Sequence, residues 1–349
     1  MIIPTTLFDV DFVLPPRLSA EMAALVLLVF FGLFASFELL FPRERVPKKH
    51  LYRSYQANIS LFVFNSTVMS LLSVSSLFIL AEHYSERGLL RYLSNSVIHL
   101  PVAAQALLSF LLLDLLLYLW HKACHSFDAL WMFHRVHHND PYLNISTAFR
   151  VHVLELLITN LLKVAYILLL GINEAMVLTN EAIITLFVMF HHSNISFKGE
   201  KLLGRVIIVP HLHRAHHSTQ RNEHDSNYGA VLSLWDRLFG TLADLQPAAV
   251  GIKGNSPQDF INLVKFGFTM QAPSPVPVVS LEAMIAEAAY YKAEKRNFYP
   301  GYELLDWLEA KREIISMVYG DKQAKKQPLR NPQPNCFKFM NFNMNLALK

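Results

Sequence analysis

The chain is poor in charge. Asp, Glu, Lys and Arg make up 17% of its 349 residues, against roughly a quarter in soluble domains. Its mean hydropathy is +0.28. The deficit points to a bilayer rather than to water. Cysteine is almost missing: Cys124 and Cys336 are the only two, and neither sits in a CxxC pair. That excludes a disulfide framework and an iron–sulfur centre. No GxGxxG occurs, so there is no flavin or nicotinamide fingerprint. The net charge is only +4 and the pI near 8.9. The basic residues form no long stripe of the kind a nucleic-acid partner requires. The opening segment, MIIPTTLFDVDFVLPPRL, lacks a basic start and a small-residue cleavage site, and is read as carrying no cleaved signal peptide.

What the chain has instead is long apolar runs. Met22 to Phe41 is long enough to cross the hydrocarbon core, which takes about 20 helical residues. Further runs cover Ala57 to Ala81, Pro101 to Trp120, Val153 to Leu170 and Ala175 to Phe190. The last two are joined only by Gly171, Ile172, Asn173 and Glu174, which predicts a tight helical hairpin. The expected architecture is an all-α integral membrane bundle of about four to five membrane segments.

Basic residues set its orientation. Arg43, Arg45, Lys48, Lys49 and Arg53 follow the first run, whereas only Arg87 and Arg91 follow the second. The positive-inside rule then places the first loop in the cytoplasm. The ends of the third and fifth runs, at Trp120 and His191, return to that same side. Beyond them the character changes. Residues 1–250 are read as the membrane domain and 251–280, with QAPSPVPVVS, as a Pro-rich linker. Residues 281–320 are read as a small helical hairpin, with Ser280 as an N-cap, and the polar segment 321–349 as a disordered tail.

Sixteen histidines are present, and their spacing says more than their number. His121 and His125 make HxxxH. His134, His137 and His138 make HxxHH, and His213, His216 and His217 repeat it. On a helix, i and i+4 project from one face, so each box offers two imidazoles to one metal ion, and HxxHH can feed two neighbouring ions. Imidazole suits iron, zinc, copper and nickel alike. Isolated histidines such as His50, His83 and His99 are read as ordinary structural residues. Asp114, Tyr118, His121 and His125 form one stripe of a helix, and an acid there is costly unless paired. Asp114 is therefore expected to accept a hydrogen bond from a ligand histidine.

These residues resemble the fatty acid hydroxylase/sterol desaturase superfamily of integral membrane proteins. The resemblance rests on DLLLYLWHKACH (114–125), FHRVHHND (133–140), RVHVLE (150–155), HHSN (191–194), HLHRAHH (211–217) and SNYGAVLSLWDRLFGT (226–241). It implies two non-haem irons held by His121, His125, His134, His137, His138, His192, His213, His216 and His217. It places His152, Glu155 and Asn227 with Asp114 among the groups that hold the ligands in place. His224 stays outside the ligand set, and His192 is preferred to His191. The implied activity is dioxygen-dependent hydroxylation or desaturation of a membrane lipid C–H bond. Electrons would come from NAD(P)H through a separate ferredoxin, cytochrome or reductase.

The expected location is a bacterial inner membrane with the histidine boxes facing the cytoplasm. Residues 281–316 resemble a short bacterial domain of unknown function. Ether-lipid cleavage or carotenoid hydroxylation on the same scaffold remains open, as does a histidine-rich metal transporter or sensor. A zinc hydrolase does not need eight or more histidines, since catalytic zinc takes three protein ligands and water.

Overall fold

A computed structural model describes residues 16–72, 77–84, 88, 92, 100–254, 256–269 and 281–319. The readings of residues 1–15, of 271–280 with the Ser280 cap, and of 321–349 lie outside the described residues. The chain divides into two compact units, residues 1–270 and 271–349. The described residues are helical, with isolated β-bridges but no sheet.

The first unit is built from α1 (Pro16–Leu40), α2 (Lys48–Leu71), α3 (Leu77–Tyr84), α4 (Val102–Ser126), α5 (Asp128–His138), α6 (Val153–Leu170), α7 (Glu174–His192), α8 (Pro210–His216) and α9 (Phe260–Phe266). Four of these, α1 from Glu21, α4, α6 and α7, are long and apolar enough to cross a membrane. Together they make an all-α membrane bundle. Leu113 of α4, Tyr166, Ile167 and Leu170 of α6 and Met176, Val177 and Ile184 of α7 form its core. On α1, Leu25, Leu28, Val29 and Leu33 are exposed. Such a face is stable in lipid, where an apolar side chain needs no protein partner.

The hairpin between α6 and α7 forms as its turn residues dictate. Gly171 closes α6 at φ +63°, in the left-handed region, where glycine pays no Cβ penalty. Asn173 then caps α7 by accepting from the Met176 N–H.

The second apolar run does not make one uninterrupted span. It is divided between α2 and α3, and α2 is too polar to count among the four spans. Its buried Ser54 and Asn58 face Asp140 and Ser146, and its Asn65 donates to the Val151 carbonyl. Ser54, Asn58 and the Asn65 amide nitrogen thus find protein partners, whereas Asn65 Oδ1 is buried without one. Ala81 of α3 packs with Leu170 and Ile172 at the far end of the α6–α7 hairpin.

The segment 251–280 that composition reads as linker is not all linker. Residues 256–269 belong to the first unit: Leu263 is fully buried beside Ala57, Leu61 and Val136. Arg135 donates to the Phe266 carbonyl at 2.7 Å. The proline content of 271–280 dominates a reading of composition, whereas FINLVKF has the apolar spacing of a docked helix.

The second unit contains a helical hairpin, α10 (Leu281–Lys295) and α11 (Glu303–Tyr319). Ile285, Ala289, Trp307, Ala310 and Ile314 form its core. Arg296 pairs with the buried Asp306.

Candidate metal centre

Four chain segments converge at one end of the bundle. The C-terminal ends of α4 and α7, all of α5 and all of α8 bring histidines together there. His121, His125, His134, His138 and His216 form one group, and His137, His192, His213 and His217 another. All nine histidines of the expected set fall into these two groups. Within each HxxHH box the i, i+4 pair shares one group and the remaining histidine enters the other. His134 and His138 join the first group and His137 the second; His213 and His217 join the second and His216 the first. This follows from helical geometry, since successive residues point about 100° apart.

The rings face inward through Nε2. Nε2–Nε2 separations are 3.1 Å for His121–His134 and His125–His138. They are 3.0 Å for His137–His192, 2.9 Å for His192–His213 and 3.1 Å for His213–His217. Outer partners fix several tautomers. His121 Nδ1 donates to the Tyr228 carbonyl at 2.8 Å, His134 Nδ1 to Glu155 at 2.7 Å, His192 Nδ1 to the Val188 carbonyl at 2.7 Å and His216 Nδ1 to the Ser226 carbonyl at 2.7 Å. A neutral imidazole with its proton on Nδ1 presents a lone pair at Nε2. Lone pairs of His121 and His134 therefore face one another across 3.1 Å. The buried Nε2 of His216 has no hydrogen-bond partner at all. Two nitrogens each ~2.1 Å from one ion and at right angles to each other would lie ~3.0 Å apart. The donor set thus fits a cation in each group.

Electrostatics agrees. Burial pushes His134 and His137 down to about 3. His138, His213, His216 and His217 are held well below the ordinary histidine value, first by burial and then by neighbouring imidazoles. These rings are neutral at pH 7, the state a metal ligand requires.

The residues expected to hold the ligands behave unequally. Glu155 accepts from His134 Nδ1. Asp114 does not touch a histidine, which corrects that expectation. Its carboxylate accepts from the Val231 and Leu232 N–H groups and from Trp235 Nε1 at 2.9–3.1 Å. The α4 stripe is instead a docking rail for residues 225–241: Tyr118 meets Thr241, His121 meets Tyr228, and His125 meets Asp225. Gly229 lies where a Cβ would come 2.5 Å from the Leu232 carbonyl oxygen, so this segment closes only with glycine there. Asn227, at φ +53°, donates to the Leu212 and Ala243 carbonyls and fixes the backbone between the Ser226 and Tyr228 acceptors. His152 also stays away from the cluster: it caps α6 through the Leu154 N–H and stacks on Phe133.

His191 lies against the His213 ring at 4.0 Å but belongs to neither group. His224 stands with Asp225 beside His125.

Two acids and an arginine near the site were not singled out in the sequence. Asp225 accepts from His125 Nδ1 at 3.1 Å. Arg150 is wholly buried and donates to the Val136 and Asn139 carbonyls at the end of α5. Its own carbonyl accepts from His137 Nδ1 at 3.3 Å. Asp140, 3.7 Å from Arg150, would be raised by burial, but Arg150 and hydrogen bonds from Ser54 and Asn58 hold it below the usual carboxylate range. No spacing rule marks such residues. A buried Arg–Asp pair could have been suspected only from charges adjoining apolar sequence.

Residues 106–241 match the family described as Fatty acid hydroxylase, and residues 280–315 match a protein of unknown function (DUF2934). The chain is 28% identical over 206 residues to an ornithine lipid hydroxylase, OlsE, of Rhizobium tropici, covering 56% of this chain and 61% of that protein. It is 32% identical over 136 residues to an alkylglycerol monooxygenase of Danio rerio, covering 39% of this chain and 30% of that protein. The human alkylglycerol monooxygenase is 29% identical over 133 residues, covering 38% and 29%. The chain thus spans about three-fifths of the first relative and under a third of the other two. No solved structure matches it.

Proposed function

We propose that this chain, whose residues 106–241 match the Fatty acid hydroxylase family, is a di-iron monooxygenase of membrane lipids. The observation that carries this reading is the pair of buried histidine groups whose Nε2 lone pairs converge at about 3 Å. His121, His125, His134, His138 and His216 would hold one iron, and His137, His192, His213 and His217 the other. Bound there, the irons supply reductive activation of dioxygen. One oxygen atom enters a C–H bond as hydroxyl and the other leaves as water, with two electrons and two protons taken from outside. The relatives' names are those of a lipid hydroxylase and a lipid monooxygenase, which favours hydroxylation over desaturation.

The chain's own residues bury the site, keep its imidazoles neutral and orient their protons outward. The apolar helices bring a lipid C–H bond to the end of the bundle where the histidines lie. Arg43, beside Asn194, marks that end as the one next to the basic loop of Arg45, Lys48 and Lys49. Positive-inside bias then faces it toward the cytoplasm, where a separate ferredoxin, cytochrome or reductase carrying NAD(P)H-derived electrons can dock. The DUF2934 hairpin is read as an appendage to this domain.

The deciding experiment is elemental mass spectrometry on protein purified anaerobically in mild detergent, followed by incubation with bilayer lipids, a reducing system and dioxygen. About two irons per chain and an oxygen-dependent hydroxylated lipid are expected. His137→Ala and His217→Ala should each lower metal content and abolish product while leaving the protein in the membrane. Unchanged metal in both variants would sink the ligand assignment, and metal flux across vesicles without product would favour a transporter.

A further inference from the structure

The two histidine groups differ in what their outer nitrogens touch. In the five-histidine group, two rings donate to carboxylates: His134 to Glu155 at 2.7 Å and His125 to Asp225 at 3.1 Å. His121 and His216 donate to backbone carbonyls, and His138 Nδ1 alone has no partner. In the four-histidine group there is no carboxylate partner among the described residues. His192 donates to the Val188 carbonyl at 2.7 Å and His137 to the Arg150 carbonyl at 3.3 Å. The buried Nδ1 atoms of His213 and His217 have no partner.

This difference has a direct chemical consequence. A carboxylate that accepts the Nδ1 proton pulls it outward and raises electron density at Nε2, which makes the imidazole a stronger ligand and fixes its ring. It also adds negative charge near a cation that neutral imidazoles leave uncompensated. Both effects fall on one group only. In the other, two of the four rings, His213 and His217, have no hydrogen bond at Nδ1 to fix tautomer and rotation.

Resting on the two-metal reading above, we propose that the two metal positions are unequal. The five-histidine position fills first and holds its ion more tightly, with Glu155 and Asp225 as positioning residues on its imidazoles. The four-histidine position is the labile one. Loss of a single metal during purification would then leave a protein with the five-histidine position occupied.

The test is an anaerobic titration of metal-free full-length protein in detergent with Co2+, followed by visible absorption and by bound metal after gel filtration. Two phases of one equivalent each are expected, the first tighter by about tenfold or more. Glu155→Gln and Asp225→Asn should each weaken the first phase, by about 10–100-fold, and leave the second in place. His217→Ala should remove the second phase alone. Circular dichroism and gel filtration confirm that each variant is folded. Asp225, partly exposed, keeps the test valid should Glu155→Gln fail to fold. Two equivalents binding in one phase would overturn the proposal, as would carboxamide variants that weaken the second phase or neither. Fewer than two equivalents in the unaltered protein would overturn the two-metal reading itself.

Discussion

Asp114 is a carboxylate at zero exposure inside a membrane-spanning helix, with three N–H donors aimed at it. Removing a buried acceptor leaves each donor unsatisfied at about 1–3 kcal/mol. Asp114→Ala should therefore lower the melting temperature in detergent substantially. Asp114→Asn, whose amide oxygen still accepts, should lower it less. The five-histidine group should suffer with the fold, because the segment that Asp114 holds supplies the Tyr228 and Ser226 carbonyls and Asp225. Melting of Asp114→Ala unchanged from the parent would show that the rail is not held by this carboxylate. The stripe Asp114, Tyr118, His121, His125 was visible as a helical repeat. Its partners were not, because they lie 100 or more residues further along the chain.

Among the elements, α9 and the α10–α11 hairpin make opposite predictions for truncation. Residues 256–269 bury Leu263 against α2 and α5, and Gln258 accepts from Arg150 at 2.9 Å. Arg150 in turn holds the end of α5 on which His137 and His138 sit. A chain ending at residue 250 should lose metal and stability, since both the apolar contact and a partner of a buried guanidinium are gone. A chain ending at residue 270 should keep its metal content, because the second unit has a hydrophobic core of its own. Elemental analysis of the two truncated proteins separates these cases. Metal retained at residue 250, or lost at 270, would place the domain boundary elsewhere. The helices α1, α4, α6 and α7 were legible as long apolar runs, because length and hydropathy alone decide whether a helix can span. The break between α2 and α3 was not. Asn58 and Asn65 read as minor interruptions until their partners Asp140, Ser146 and Val151 are known.

For the whole molecule, the neutral cluster dictates the sign of the pH dependence. His134 and His137 titrate near 3 in the folded chain, against 6.5 for an ordinary histidine. Between those values the unfolded chain binds more protons than the folded one, so stability rises with pH across this window. The stabilisation is fully present above about 6.5 and is lost as pH falls toward the folded values near 3. Protons also compete directly with metal for the same nitrogens. Equilibrium dialysis on folded protein should show metal affinity level from neutral pH down to about 4 and falling as pH approaches the folded values near 3. Affinity that already falls around 6.5, the ordinary histidine value, while the chain is still folded would mean that the ligands are not these buried imidazoles.

The sequence by itself determined that the chain is a helical membrane protein and that its histidines are spaced to share helix faces. Hydropathy sets the first, and the i, i+3, i+4 repeat sets the second, since both are properties of a single helix. It also carried the family resemblance, because the boxes and the NYG–WDRLFGT segment are local strings. Tertiary structure alone decided how nine imidazoles divide between two groups, that Asp114 serves backbone rather than histidine, and that Glu155 and Asp225 both fall on the same group. Those outcomes depend on which distant segments meet. Hydrogen bonds across the space between α4, α5, α6, α8 and residues 225–241 settle that, and no local spacing encodes it.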